Sequence, residues 1–255
     1  MSTAYSGDGI TFPDSTVQAT APKAGMVNRI INGDFNVWQR GTSFPAIVNG
    51  GYFTDRWRVS HTRQELVVNA SREEDAPTAT QAGIFTQYCM SLTATTVETT
   101  VDATDVFSFL QYVEGINAAS FGFGQAGSRN LTLSFWVKGT KTGIHCVAIR
   151  NSAFNRSYVA EYTIATSNTW EYKVITIPVD TEGTWLYDTG RGFGLDFTLM
   201  SGTSRQTTAN TWAAGSFVAT ANQVNALDST SNVFKIALVQ LEKGSTATDF
   251  EYVDY

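Results

Sequence analysis

The sequence predicts an all-β protein: an antiparallel β-sandwich preceded by a short extended segment. Three observations lead there. Apolar and polar residues alternate at period two in several stretches, which marks strands with one buried face. Gly, Asn, Ser and Thr turns separate these stretches at short intervals, as in sandwiches. With 42% apolar and only 16% charged residues over 255 positions, the chain can fill a sizeable core and is too apolar to stay disordered. Sandwiches often reach this length as one unit.

The first stretch, residues 1–25, differs from the rest. Gly9-Ile-Thr-Phe12, the turn signal Pro13-Asp-Ser15 and Thr16-Val-Gln-Ala-Thr20 read as one small hairpin whose apolar residues are Ile10, Phe12 and Val17. A lone hairpin is marginal in water, so these side chains need a surface to pack on. Ala21-Pro-Lys-Ala-Gly25 reads as a linker.

Residues 26–255 form the predicted sandwich. In 130–138, Leu131, Leu133, Phe135 and Val137 share one face, with Thr132, Ser134 and Trp136 on the other. Leu195, Phe197 and Leu199 repeat the pattern, and Phe234, Ile236 and Leu238 are expected together on one face. Further strands are expected at 52–60, 65–71, 84–93, 107–114, 143–150, 157–165, 170–178 and 211–219. Residues 105–119 partly fit helical spacing, but the β-formers Phe107, Phe109, Val113 and Ile116, with Gly115 interrupting the run, favour a strand.

A formal charge of −6 without a Lys/Arg cluster argues against nucleic-acid binding and against an anionic membrane as partner. No run reaches the length of a membrane span, and the first residues carry neither a basic nor an apolar signal region. The expectation is therefore folding in a cytoplasm, with any extracellular role reached by way of an assembled particle. Cys89 and Cys146 sit in strand-like apolar runs and read as two buried free thiols, with a disulfide between them left open.

Several stretches resemble a known family. Asn28-Arg-Ile-Ile-Asn-Gly-Asp-Phe-Asn-Val-Trp-Gln-Arg-Gly41 with Tyr52-Phe-Thr-Asp-Arg-Trp57 looks like the opening of the carbohydrate-binding-module-like jelly rolls of bacteriophage tail and capsid fibres. Leu131-Thr-Leu-Ser-Phe-Trp-Val-Lys138 resembles their central strand, and Val239 to Tyr252 their last strand and tail. Gly9 to Thr20 is similar to a segment near the start of phage tail-fibre proteins.

The resemblance implies a jelly-roll-like sandwich on a virion fibre, commonly a homotrimer. Its N-terminal segment would attach to another virion protein and its body would touch a host-surface glycan. It also implies that Phe35, Trp38, Arg56 and Trp57 are core and register-setting residues. Appended modules of this fold tend to carry a Glu after the first Phe of the opening strand, where it helps hold a structural calcium; here Asn36 stands there. Asp34, Asp249 and Glu251 remain as candidate cation ligands, or as solvated acids at strand ends.

Little in the sequence points to catalysis. His61 and His145 lie far apart, without partners at zinc-ligand spacing, and no Gly-x-Ser-x-Gly elbow is present. Gly190-Arg-Gly-Phe-Gly194 is Gly-rich but precedes a strand, so it reads as a turn. Glycoside hydrolysis needs two carboxyls across a cleft, for which Asp102 and Asp105, Asp180 and Glu182, or Asp188 and Asp196 are the candidates. Phage depolymerases are usually larger and β-helical. Binding is the better use of these residues: aromatics meet the apolar faces of sugars, and polar side chains their hydroxyls. Trp136, Trp185, Tyr187 and Trp212 are the candidate glycan-binding residues. A decoration protein that binds no glycan, and a glycan depolymerase, are the competing readings.

Overall fold

The structure is a computed structural model that describes residues 27–63, 65–127 and 129–252, together with the backbone of three short strands before them. Those three are β1 (Ala4–Ser6), β2 (Gly9–Thr11) and β3 (Val17–Gln18). The body begins with β4 (Ser43–Phe44), β5 (Trp57–His61) and β6 (Val68–Glu73), then a one-turn helix α1 (Ala79–Ala82). β7 (Cys89–Ala94), β8 (Val106–Glu114), a second short helix α2 (Gly115–Ala118), β9 (Asn130–Gly139), β10 (Gly143–Asn151) and β11 (Arg156–Ile164) follow. The chain ends through β12 (Glu171–Pro178), β13 (Arg191–Ser201), β14 (Trp212–Ala214) and β15 (Val233–Lys243).

Two six-stranded antiparallel sheets pack face to face, as the alternation predicted. Sheet I has the order β14-β11-β10-β13-β8-β5 and sheet II the order β12-β9-β15-β7-β6-β4. Consecutive strands repeatedly cross between the sheets, which gives the jelly-roll character. Leu131, Leu133, Phe135 and Val137 of sheet II meet Leu195, Phe197 and Leu199 of sheet I in one core, together with Phe35, Trp38 and Trp57. Phe197 stacks on Phe109 at 5.2 Å and meets Phe135 edge-on at 5.1 Å. Full burial of each such side chain contributes about 1.5–3 kcal/mol.

Both outward faces are partly covered as well. Cys89, Trp170, Ala237 and Leu238 form a small cluster outside sheet II, and Cys146, Ala148, Val159 and Ala219 one outside sheet I. The two cysteines therefore belong to different sheets, and both are free thiols.

Three expectations are corrected. Leu238 leaves the face shared by Phe234 and Ile236, because β15 carries a bulge between Ala237 and Gln240 and Leu238 adopts φ 53°. From there Val239 and Leu241 point into the core instead. Gly33 makes room for this bulge: its carbonyl accepts from the Val239 amide, and a Cβ on Gly33 would stand 2.1 Å from the Val239 oxygen. The strand expected at 107–114 is present as Val106–Glu114, but Ile116, counted among its β-formers, lies exposed on α2. Gly115 ends the strand by lying against the 186–188 backbone, where a Cβ would come within 2.4 Å of the Leu186 oxygen. The strand expected at 211–219 shortens to Trp212–Ala214, since Gly215 turns the chain away at φ 138°.

At the N-terminus, β2 pairs with β3 as the expected hairpin, and β1 adds a third strand to it. Phe12 and the side chains of Ile10 and Val17 lie outside the described residues, as does the linker at 21–25. Among the described residues no helix is long and apolar enough to cross a membrane.

Candidate functional site

The outward alternation of β9 carries Trp136 onto the open side of sheet II. Its antiparallel partner across β12 is Tyr172, and the two rings lie 5.4 Å apart, tilted by 36°. Tyr172 is 45% exposed because β12 is the edge strand and nothing pairs beyond it in the sheet. The rings wall a cleft of about 500 Å³, floored by Leu238 and Ser134 and closed by Gln81 of α1 and by Asp249 of the C-terminal tail.

The far walls are built locally. Thr78 and Gln81 form a reciprocal capping box, and Gly83 ends α1 at φ 74°, so this single turn is held at both ends. The tail is riveted by two buried side chains of β15. Glu242 accepts the Thr248 amide and hydroxyl, each at 2.8 Å. Gln240 donates to the Asp249 carbonyl at 3.3 Å and accepts the Glu251 amide at 2.8 Å. Because the bulge turns Gln240 and Glu242 outward, the feature that seats Leu238 in the cleft floor also fixes the tail. The result is an aromatic wall opposite an exposed carboxylate and an amide, which suits a ligand with an apolar face and hydroxyl edges.

The other three aromatic candidates gather elsewhere, at one end of the sandwich. Trp185 is only 8% exposed and stacks on Phe123 at 4.1 Å, with Trp212 edge-on at 5.6 Å. Trp185 donates its indole N–H to the Glu182 carbonyl and Trp212 to that of Pro178. Tyr187 donates its hydroxyl to the Phe123 carbonyl and stays partly exposed. The expectation of a free ring face at Trp185 is corrected: a loop rich in Gly, Thr and Asp folded its aromatics inward to seal the core. Sequence reasoning missed Tyr172 because Glu171 and Lys173 share the opposite face of β12, so period-two counting would turn this ring inward.

Two of the three candidate cation ligands, Glu251 and Asp34, already bond to the protein, although Asp34 Oδ1 is buried without a partner. Glu251 accepts the Val27 and Asn28 amides at 2.6 and 2.7 Å. Asp34 accepts from the Asn36 side chain at 2.6 Å, and burial raises its pKa. Asp249 stands apart in the cleft wall described above. Among the described residues no group of three His, Cys, Asp or Glu is arranged to hold a metal ion. Asp180 binds Arg156 through both oxygens at 2.7 Å, and Asp196 binds Arg150. Asp188 accepts the Gly190 amide, and Arg63 bridges Asp102 and Asp105. Each pair considered for hydrolysis thus contains a carboxylate held in a structural contact. His61 and His145 are both buried.

No family model matches the chain, and no curated protein matches it. Solved structures do. The enzymatically active domain of tailspike protein 4 from bacteriophage CBA120 aligns over 85% of this chain at 14% identity, with a TM-score of 0.43; this chain spans 21% of that one. The family 11 carbohydrate-binding module from Clostridium thermocellum, solved with a β-1,3-1,4-mixed-linked tetrasaccharide, aligns over 82% of this chain and 99% of its own, at 10% identity and TM-score 0.38. TmCBM61, solved with β-1,4-galactotriose, aligns over 84% and 97%, at 13% identity and TM-score 0.37. At these values no ligand, activity or partner passes from those proteins to this chain.

Proposed function

We propose that this chain is a non-catalytic carbohydrate-binding β-sandwich that holds a saccharide in the Trp136–Tyr172 cleft. The observation that supports it is the pairing of two neighbouring, accessible aromatic rings with the Asp249 carboxylate and the Gln81 amide around one cleft. The likeness of residues 9–20 and 28–57 to phage fibre sequences supports placing it on a virion. There residues 1–25 attach it to another particle protein, three copies assemble, and the body touches host-surface glycan. Several copies on one particle raise a weak single-site affinity through effective concentration.

A glycan array probed with the full chain tests the binding reading, with Tyr172→Ala and Trp136→Ala as matched variants. Binding that both variants weaken by about tenfold or more is expected, about 1.4 kcal/mol, the scale of one lost aromatic contact. A blank array favours a decoration protein, and release of reducing ends from a bound polysaccharide favours a depolymerase. Deleting residues 1–25 is expected to abolish incorporation into particles; a truncated protein that still assembles removes the attachment role.

A further inference from the structure

The outward face of sheet I carries a row of a different kind. Arg40, Tyr52, Arg58, Tyr112, Arg191, Phe154 and Arg150 follow one another in space, alternating guanidinium and ring. Tyr52 has Arg40 and Arg58 over it at 5.8 and 5.6 Å. Tyr112 has Arg58 and Arg191 at 5.3 and 4.7 Å, and Phe154 has Arg150 and Arg191 at 4.3 and 4.1 Å. The residues are far apart in sequence, and the strand order β10-β13-β8-β5 brings them together. Each ring is engaged by two cations, so this face offers N–H donors where the Trp136–Tyr172 cleft offers ring surface.

Two adjoining clefts open along the row, of about 620 and 690 Å³, with Tyr112 lining both. Arg40 and Arg56 line the first and Arg150 and Arg205 the second, with Arg58 and Arg191 over the Tyr112 ring that both clefts share, in a chain whose formal charge is −6. Three carboxylates answer them: Asp55 pairs with Arg40, Glu114 with Arg56 and Asp196 with Arg150. Among the described residues Arg58, Arg191 and Arg205 have no carboxylate within ion-pair distance. The Nε atoms of Arg58 and Arg191 are buried without a hydrogen-bond partner, as is His61 Nε2 in the second cleft. His61 Nδ1–H donates to the Arg63 carbonyl at 2.7 Å, so Nε2 is the ring nitrogen left without a protein partner. Ser60, Ser108 and Ser216 line the same cleft.

We propose that this row is a second binding site and that it takes an anionic saccharide. Oxyanions on the sugar meet the guanidinium forks, and the serines and His61 meet its hydroxyls. A sparsely charged polysaccharide fits better than a nucleic acid, whose dense charge the remaining acidic surface repels. The proposal does not rest on the Trp136–Tyr172 cleft.

The test is calorimetric titration of the full chain with polygalacturonate and with its fully methyl-esterified form, which keeps the sugar and removes the charge. The acid is expected to bind at least about tenfold more tightly, about 1.4 kcal/mol, because the ester removes the charge from its hydrogen bonds to Arg. The double variant Arg58→Gln/Arg191→Gln is expected to lose that margin, with its melting temperature checked alongside. κ-Carrageenan, with one sulfate per disaccharide, is the parallel arm; binding that the double variant loses supports the site with sulfate as the anion. Equal affinity for acid and ester, binding of neither polyanion, unchanged affinity in the double variant, or preference for duplex DNA each overturns it. The acid–ester comparison uses the unaltered chain, so a variant that fails to fold does not shelter the proposal.

Discussion

The ion pair between Arg150 and Asp196 lies on neighbouring strands at the middle of sheet I. Asp196 is fully buried and Arg150 is 8% exposed. Arg150 Nε donates to Asp196 Oδ2 at 3.1 Å and Nη2 donates to Oδ1, while the Ser108 hydroxyl donates to Oδ1 at 3.3 Å. Arg150 Nη1 also donates to the Ser216 hydroxyl at 3.1 Å. Taking two charges out of water costs several kcal/mol each, and only their mutual satisfaction offsets it. Asp196→Leu strands a buried guanidinium and is expected to cost about 3–5 kcal/mol; Arg150→Met strands a carboxylate at a similar cost. If the two losses were independent, the double variant would lose about 6–10 kcal/mol. With both charges gone it is expected within about 2 kcal/mol of the wild type, that remainder covering the lost Phe154 and Ser216 contacts. Urea denaturation of the four proteins gives the coupling energy. A double variant whose loss equals the sum of the singles within about 0.5 kcal/mol would refute the reasoning.

Three further outcomes follow from buried groups. Burial pushes the His145 imidazole down from 6.5 to about 4, so the unfolded chain binds a proton that the folded one rejects. Stability is full above about pH 6.5 and falls as pH drops towards 4, by about 2–3 kcal/mol at pH 4.5; His145→Gln is expected to flatten the urea midpoints over that window, and equal slopes would remove this source of acid sensitivity. Burial likewise pushes Cys89 up to about 12 and Cys146 up to about 11. Iodoacetamide at pH 8 is then expected to leave both unlabelled in buffer and to label both in urea, and rapid labelling of the native chain would contradict their burial. Glu242→Gln puts an N–H₂ where two Thr248 donors and the Gln240 amide now converge. Hydrogen exchange at Thr248 is expected to rise by about tenfold or more, and unchanged protection would mean the tail is held by other contacts.

The core strands were legible because their alternation is strong: Leu131 to Val137 and Leu195 to Leu199 face inward as read. Trp136 was legible by the same rule, since an aromatic opposite an apolar row must face outward. The bulge was not, because Leu238 and Val239 are both apolar and period-two counting does not say which one enters the core. Trp185 was misread for a related reason: a loop's composition does not show whether its aromatics fold back. Arg58, between Trp57 and Val59, and Tyr112, between Gln111 and Val113, are each recognisable as outward-facing. That they meet Arg191 and Phe154 depends on strand order, which no local pattern carries. The pairing of Asp196 with Arg150, and of Asp180 with Arg156, is long-range in the same sense.

The inserted residue in β15 works as a parity switch. Up to Ala237 the even-numbered side chains fill the interior, and from Val239 onward the odd-numbered ones do. Were β15 to run straight through with every residue kept, Gln240 and Glu242 would turn into the hydrocarbon layer and Val239 and Leu241 would leave it. The terminal residues that complete the Trp136–Tyr172 cleft would then be released. Deleting the extra residue would instead restore plain alternation with Val239 and Leu241 still inside. What this segment has to keep is therefore the backbone turn at Leu238, φ 53°, which lets one residue stand outside the alternation.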